Sequence, residues 1–178
     1  MNTRTLGQGI VYSILLLMVL LIAACSSSGQ PEIDLESQAG AYGQLKVRDS
    51  GQCLQDSGNV FEAKCDGGTD QQWRQLNAPN GYFALQNRRT GECLDVYKNN
   101  RNDRANVSSY RCESLRSGDG NQLLKIRSGS GPSNVLEFKH SKKCLDVKSD
   151  GNAIQYRCHG NSNQQFAIPG SDGDDVSP

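Results

Sequence analysis

Two stretches of this chain are identical over four residues, Cys93-Leu94-Asp95-Val96 and Cys144-Leu145-Asp146-Val147. A weaker copy, Cys53-Leu54-Gln55-Asp56, precedes them. The cysteine brings a thiol suited to a disulfide or a metal. The aspartate brings a carboxylate that accepts charge-assisted hydrogen bonds. An aspartate beside a turn can also bond its own loop, so these residues alone leave a folding role and a binding role both open.

Other chemistries find little support. Cys-x-x-Cys does not occur and the only histidines are His140 and His159, so no metal centre is expected. There is no Ser-His-Asp arrangement and no nucleophile elbow. Asp95 and Asp146 belong to different segments, so no carboxylate pair at the roughly 5–10 Å spacing of glycosidases is expected. The reading is of a chain that is not an enzyme and carries no cofactor.

The elements that must position the cysteines and aspartates recur. Gln44–Trp73, Tyr82–Leu124 and Val135–Phe166 each open on an apolar/polar alternation, at Leu45/Val47, Phe83/Leu85 and Leu136/Phe138. That is a strand period. A turn follows, then Cys-Leu, a loop rich in Gly, Asn and Asp, and a second short strand into the next cysteine. Each segment closes on Gln71-Gln72-Trp73, Asn121-Gln122-Leu123-Leu124 or Gln164-Gln165-Phe166. No helical period is visible. Self-similarity at about 40 residues points to one supersecondary unit repeated three times, none able to bury a core alone.

The two ends stand apart from these repeats. Ile10–Ala24 is apolar except for Tyr12 and Ser13, and is short for a helix crossing roughly 30 Å of hydrocarbon. It reads as a secretory signal over residues 1–24. Its end, Ile22-Ala23-Ala24-Cys25, resembles the lipobox of bacterial lipoproteins. That resemblance implies that Cys25 is acylated, palmitate included, and that several chains anchor the protein stably. Ser26, rather than Asp, after the cysteine implies the outer membrane of a Gram-negative bacterium, facing periplasm or surface. Residues 25–42 read as lipidated cysteine plus tether, and 169–178 as an acidic, disordered tail. The domain between them, 43–168, keeps 18 of 19 cations once Arg4 is set aside, and 13 of 19 acids once the six in tether and tail are, a net +5. Arg88-Arg89 and Lys139–Lys143 are its densest basic clusters, suited to solvated turns or to anionic glycans and lipid head groups. No aromatic-interleaved basic motif suggests nucleic acid.

Besides Cys25, six cysteines remain in an exported chain, the setting where disulfides persist. Six cysteines allow 15 pairings. One pair per repeat makes local bonds the economical choice: Cys53–Cys65, Cys93–Cys112 and Cys144–Cys158. Each such loop is worth roughly 3 kcal/mol in the chain-entropy model.

A threefold Cys-Leu-Asp…Cys…Gln-x-Trp unit resembles the ricin-type, or QxW, lectins over 43–168. The resemblance implies an all-β fold, a β-trefoil of twelve strands with pseudo-threefold symmetry, six in a closed barrel and six in capping hairpins. Trp73, Phe166 and Leu123 or Leu124 would pack in the shared core, and the glutamines would bond nearby backbone. In that family the aspartate after Cys-Leu accepts bonds from vicinal sugar hydroxyls. An aromatic two residues before the second cysteine stacks on the sugar, and an asparagine before the QxW glutamine adds hydrogen bonds. The third repeat matches with Asp146, Tyr156, Asn163 and Gln164. The second matches with Asp95, Tyr110, Asn121 and Gln122, but has a longer loop, Tyr97–Asn106. The first has Gln55, Ala63 and Asp70 instead, and its site is read as lost.

The implied function is a membrane-anchored lectin for galactose-type glycans. Two alternatives stay open. One is a toxin or surface-assembly subunit with a protein partner, similar to the A subunit of cytolethal distending toxins; that subunit carries an aromatic patch, whereas this chain has one Trp. The other is a trefoil that docks proteins and binds no sugar.

Overall fold

The computed structural model describes residues 39–118, 120–127 and 133–169. The signal segment, Cys25, residues 26–38 and the tail beyond Pro169 lie outside the described residues. Strands dominate: β1 (Gly43–Gln44), β2 (Lys46–Val47), β3 (Cys53–Asp56), β4 (Val60–Ala63), β5 (Gln72–Ala78), β6 (Tyr82–Asn87), β7 (Cys93–Val96), β8 (Ala105–Tyr110), β9 (Leu124–Arg127), β10 (Asn134–Phe138), β11 (Cys144–Val147), β12 (Ala153–Tyr156) and β13 (Gln165–Ala167). β1 and β2 are one strand interrupted at Leu45, which restores the expected twelve. One short helix was not expected, α1 (Ser114–Ser117). At four residues it is too short to leave a 3.6-residue period in the sequence.

Six of these strands close a barrel. β1 pairs with β5, β5 with β6, β6 with β9, β9 with β10, β10 with β13, and β13 returns to β2. Closure removes sheet edges. The remaining strands form hairpins β3–β4, β7–β8 and β11–β12, one per repeat. This is the β-trefoil that the repeats implied.

The motif leucines Leu54, Leu94 and Leu145 are fully buried in one cluster with Trp73, Leu124, Phe138 and Phe166. Of the two leucines in the second Gln-x-Trp position, Leu124 therefore takes the core place. Leu123 packs in a smaller cluster with Leu76 and Ala84. The Trp73 indole N–H donates to the Leu54 carbonyl at 2.9 Å, tying barrel to hairpin. The three disulfides join Cys53–Cys65, Cys93–Cys112 and Cys144–Cys158, with Cα–Cα distances of 5.1, 5.0 and 5.0 Å. Among the described residues, the core and the three disulfides lie within residues 39–169.

Two features repeat with the pseudo-threefold axis. Asn59, Asn106 and Asn152 form a closed ring, each amide nitrogen donating to the next amide oxygen at 2.6, 2.6 and 2.8 Å. In the turns before each Cys-Leu, the backbone N–H of Gly51, Gly91 and Lys142 returns to the carbonyl of Val47, Asn87 and Phe138. All three positions have left-handed φ, 68°, 70° and 59°. Glycine suits that conformation; the third repeat holds a lysine there instead.

The boundary at residue 43 is a correction. Ala39 bridges to Leu76, the Gly40 N–H bonds the Gln75 carbonyl at 2.9 Å, and Arg74 lies over the Tyr42 ring at 4.7 Å. Residues 39–42 thus pack on the sheet, Ala39 by a single bridge, rather than standing apart as tether. Polar, small residues without alternation gave no sign of a strand there.

Replacing Trp73 by Phe, the residue type that the third repeat uses, should keep the fold but leave the Leu54 carbonyl unpaired beside a small void. Guanidinium unfolding of the oxidised protein is expected to show a loss of about 1–3 kcal/mol.

Candidate functional site

Hairpin register explains how each repeat assembles its polar set. In β11–β12, Cys144 faces Tyr156 and Asp146 faces Ile154. In β7–β8, Cys93 faces Tyr110 and Asp95 faces Ser108. Residues two apart share a face of a strand, so the aspartate and the tyrosine are diagonal neighbours, within reach across the pair. The next chain segment then lays an Asn-Gln step against the aspartate.

The third repeat forms the better-defined site. A concavity of ≈ 420 Å³ is lined by Asp146, Tyr156, Asn163, Ile154, His159 and Arg104, with Lys148 and Ser149 at its rim. That volume lies within the roughly 300–1,000 Å³ of small-ligand sites. Asp146 Oδ1 accepts from the Asn163 amide at 3.1 Å, and Oδ2 from the Gln164 amide at 2.8 Å. His159 Nε2 stands 3.3 Å from the same Oδ2. The Tyr156 and His159 rings meet edge-on at 6.0 Å, forming one wall.

The second repeat brings together its own four residues. Asn121 donates to Asp95 Oδ2 at 2.9 Å, and Gln122 also bonds this carboxylate. Tyr110 is 46% exposed, although the Arg111 guanidinium covers part of its ring at 5.5 Å. In the first repeat Gln55 Oε1 accepts from the Gln71 amide at 3.3 Å, and no aromatic stands opposite, because Ala63 faces Cys53.

The glutamines have a different place from the other predicted site residues. Gln122 and Gln164 are buried, at 2% and 0% exposure. The Gln164 amide donates to the Arg157 carbonyl at 3.0 Å, and its oxygen accepts from the backbone N–H of His159 at 2.9 Å. Gln122 does the same with Arg111 and Glu113, at 2.8 and 3.0 Å. They sit behind the aspartates and fix them; the open face is left to Asp, Tyr and Asn.

Sequence reasoning missed Arg104, Lys148, Ile154 and His159. His159 directly follows Cys158, and Ile154 is opposite Asp146 by register, so both were legible from a hairpin alignment. Arg104 comes from the neighbouring repeat. The long loop of the second repeat leans on the third: the Gln155 amide bonds the Asn100 and Asn102 carbonyls at 2.7 and 2.9 Å, and the Arg104 N–H bonds the Gln155 carbonyl at 2.9 Å. No sequence signal assigned that loop to another repeat's pocket. Among the described residues no group of three or more His, Cys, Asp or Glu is placed to hold a metal.

Both carboxylates titrate abnormally. Burial pushes Asp95 up to about 6 from its ordinary 3.8; Gln122 and Asn121 pull it back, and Glu113 adds to the rise. Burial likewise raises Asp146, against the bonds from Gln164, His159 and Asn163.

A raised folded pKa means that between 3.8 and about 6 the folded chain holds a proton that the unfolded chain has given up. This contribution to stability is full below the unfolded value and lost as pH rises through about 6. Burial of His140 lowers its pKa and tilts stability the other way, so the test is a difference. Urea unfolding should show Asp95→Asn gaining stability relative to the wild type as pH rises through that window. A difference flat with pH would mean that Asp95 titrates as if exposed.

Comparison with known proteins agrees with this architecture. The profile of the family described as "Ricin-type beta-trefoil lectin domain" matches residues 81–176, and that described as "Ricin-type beta-trefoil lectin domain-like" matches 32–110. A search of the curated proteins finds no match. The designed threefold-symmetric protein ThreeFoil is 34% identical, with TM-score 0.64, over 70% of this chain and 95% of its own. The hemolytic lectin CEL-III is 31% identical, with TM-score 0.60, over 71% of this chain and 29% of its own. A chain of cytolethal distending toxin from Actinobacillus actinomycetemcomitans is 16% identical, with TM-score 0.58, over 76% of this chain and 96% of its own; that likeness is one of fold. A closed trefoil barrel, three Gln-x-Trp-type core anchors and the matched profile together place this chain in the ricin-type β-trefoil lectin family.

Proposed function

We propose that this protein is a non-catalytic lectin, lipid-anchored to a membrane through Cys25, that binds galactose-type glycans at its second and third repeats. The observation that carries the reading is Asp146. It is a charged acceptor at the floor of a pocket, held by two side-chain amides and flanked by an aromatic ring. Two adjacent sugar hydroxyls donate to such a carboxylate. Tyr156 covers the apolar face of the ring, and Asn163, whose amide nitrogen bonds Asp146 and Val147, offers its oxygen as an acceptor. Asp95, Tyr110 and Asn121 take the same parts in the second repeat, and Gln122 and Gln164 act as positioning residues. The pocket lining includes one carboxylate, where acid–base cleavage of a glycosidic bond uses two. This supports binding without hydrolysis.

The anchor reading rests on Ile22-Ala23-Ala24-Cys25, and Ser26 rather than Asp after it supports the outer membrane of a Gram-negative cell. A second reading is a host-binding subunit of a multi-component toxin, with whose chain this one shares the trefoil fold. It requires a partner protein that co-purifies with the chain.

A glycan array probed with oxidised 26–178 should give hits among terminal galactosides. Asp95→Ala or Asp146→Ala should each remove one site, and the double variant all binding. Asp146→Asn, which keeps the shape and loses the charge, should weaken its site ten- to hundredfold, about 1.5–3 kcal/mol. An empty array, or a double variant that still binds, sinks the lectin reading and favours protein docking.

In the native host, Cys25→Ser should abolish palmitate labelling and move the chain from the detergent phase to the aqueous phase. Unchanged partition would rule out the lipid anchor.

A further inference from the structure

The basic run Lys139–Lys143 contributes to neither aspartate site, yet part of it converges with residues from two other strands. The Tyr82 ring is surrounded by three ammonium groups: Lys125, Lys139 and Lys142 stand 5.7, 5.4 and 5.8 Å from its centroid. Lys142 also donates to the Tyr82 hydroxyl at 3.3 Å. Arg127 adds a fourth cation, and Glu137 is the carboxylate paired in this group, 3.1 Å from Arg127 and 3.9 Å from Lys142. Four cations against one acid leave the cluster at +3. Beside the ring runs a groove of ≈ 390 Å³ with Ala78, Phe83 and Ile126 among its lining; Ile126 is 39% exposed. Like charges gathered at one ring repel each other, and Lys142 holds the left-handed turn conformation (φ 59°) that Gly51 and Gly91 take in the other repeats. Strain kept at a non-glycine residue points toward function.

We propose that this wall of the barrel is a docking face for an anionic phospholipid surface. Lysines for the phosphates, a tyrosine at head-group depth and a small apolar contact are the chemistry of an interfacial site. Its place in the fold suits that occupant. Ala39 pairs with Leu76 of β5, β5 pairs with β6, and β6 pairs with β9, which carries Lys125 and Arg127. At about 4.8 Å per strand spacing, the chain leading back to Cys25 joins this wall about 14 Å from Lys125. The 13 residues between Cys25 and Ala39 reach at most about 45 Å. A lipid on Cys25 would leave this wall within reach of the bilayer. The orientation rests on the anchor reading; the affinity for phospholipid does not.

The test uses oxidised, unlipidated 26–178 and sedimentation with vesicles, so it is independent of acylation. Partition onto phosphatidylcholine vesicles containing about one-third phosphatidylglycerol should exceed that onto pure phosphatidylcholine at least tenfold at roughly 0.1 M NaCl, and vanish near 1 M. Replacing Lys125, Lys139 and Lys142 together by Gln should lower it about a hundredfold, about fivefold per lysine. Glycan-array binding by the same variant reports that it has folded. Asp95→Ala/Asp146→Ala should leave vesicle binding unchanged. Equal partition onto neutral vesicles, an unaffected triple-lysine variant, or millimolar binding of inorganic phosphate with no vesicle binding each overturns the proposal. Loss of the Cys25 label with vesicle binding intact would remove the anchor alone.

Discussion

In each repeat a single buried glutamine holds the turn after the disulfide against the barrel. Gln71 donates to the Lys64 carbonyl and accepts from the Asp66 N–H, at 2.8 and 3.0 Å. Gln122 and Gln164 make the equivalent bonds around Cys112 and Cys158. A buried primary amide left unpaired is expensive, and here both of its ends close on backbone groups that flank a cysteine. Two residues further on stand Trp73, Leu124 and Phe166, each fully buried in the shared core. The clamp therefore links three things in sequence: the core anchor, the disulfide loop and the hairpin above it. The ring of Asn59, Asn106 and Asn152 then joins the three hairpins to each other.

The clamp also decides what can stand after Cys-Leu. The glutamine amide has a second N–H, and it points at that side chain. In the first repeat a neutral acceptor, Gln55 Oε1, meets it at 3.3 Å. The scaffold thus requires an acceptor there and does not require a charge. Asp95 and Asp146 go further. They place an ionisable group at 6% and 4% exposure, and the resulting rise in their pKa is a standing cost to the fold at neutral pH. A neutral solution to the same geometry exists in the same chain, so stability does not account for the two carboxylates. The proposed sugar ligand, donating hydrogen bonds to them, is the reading that accounts for them.

Much of this was legible in the sequence because it depends on spacing within one hairpin. Cysteine pairing, the period-two strands and the diagonal of Asp146 with Tyr156 all follow from local register. What escaped depends on contacts between repeats or on short elements. Arg104 reaches the third pocket because Gln155 captures the long loop of the second repeat. Residues 39–42 join the sheet through backbone bonds at Leu76 and Gln75, which small side chains do not advertise. Gln122 and Gln164 were assigned with the binding residues because they adjoin Asn121 and Asn163 in sequence. Asn163 and Gln164 lie in one 3₁₀ turn, Ser162–Gln164, where adjacent side chains are about 120° apart, and burial separates the pair into one that faces the pocket and one that stands behind it.

The two aspartate sites are not copies of each other. The residue after the second cysteine is Glu113 in one and His159 in the other. Glu113 adds to the rise of the Asp95 pKa, whereas His159 lies against Asp146 and opposes its rise. The second repeat thus surrounds its carboxylate with one more acid, and the third with a group that can share or neutralise its charge. Arg104 and Lys148 extend that difference at the rim of the third pocket. His159 thus offsets part of the rise that burial imposes on Asp146, and the third carboxylate lies in a more positive field than the second. The two hairpins thus hold the same carboxylate in different charge settings.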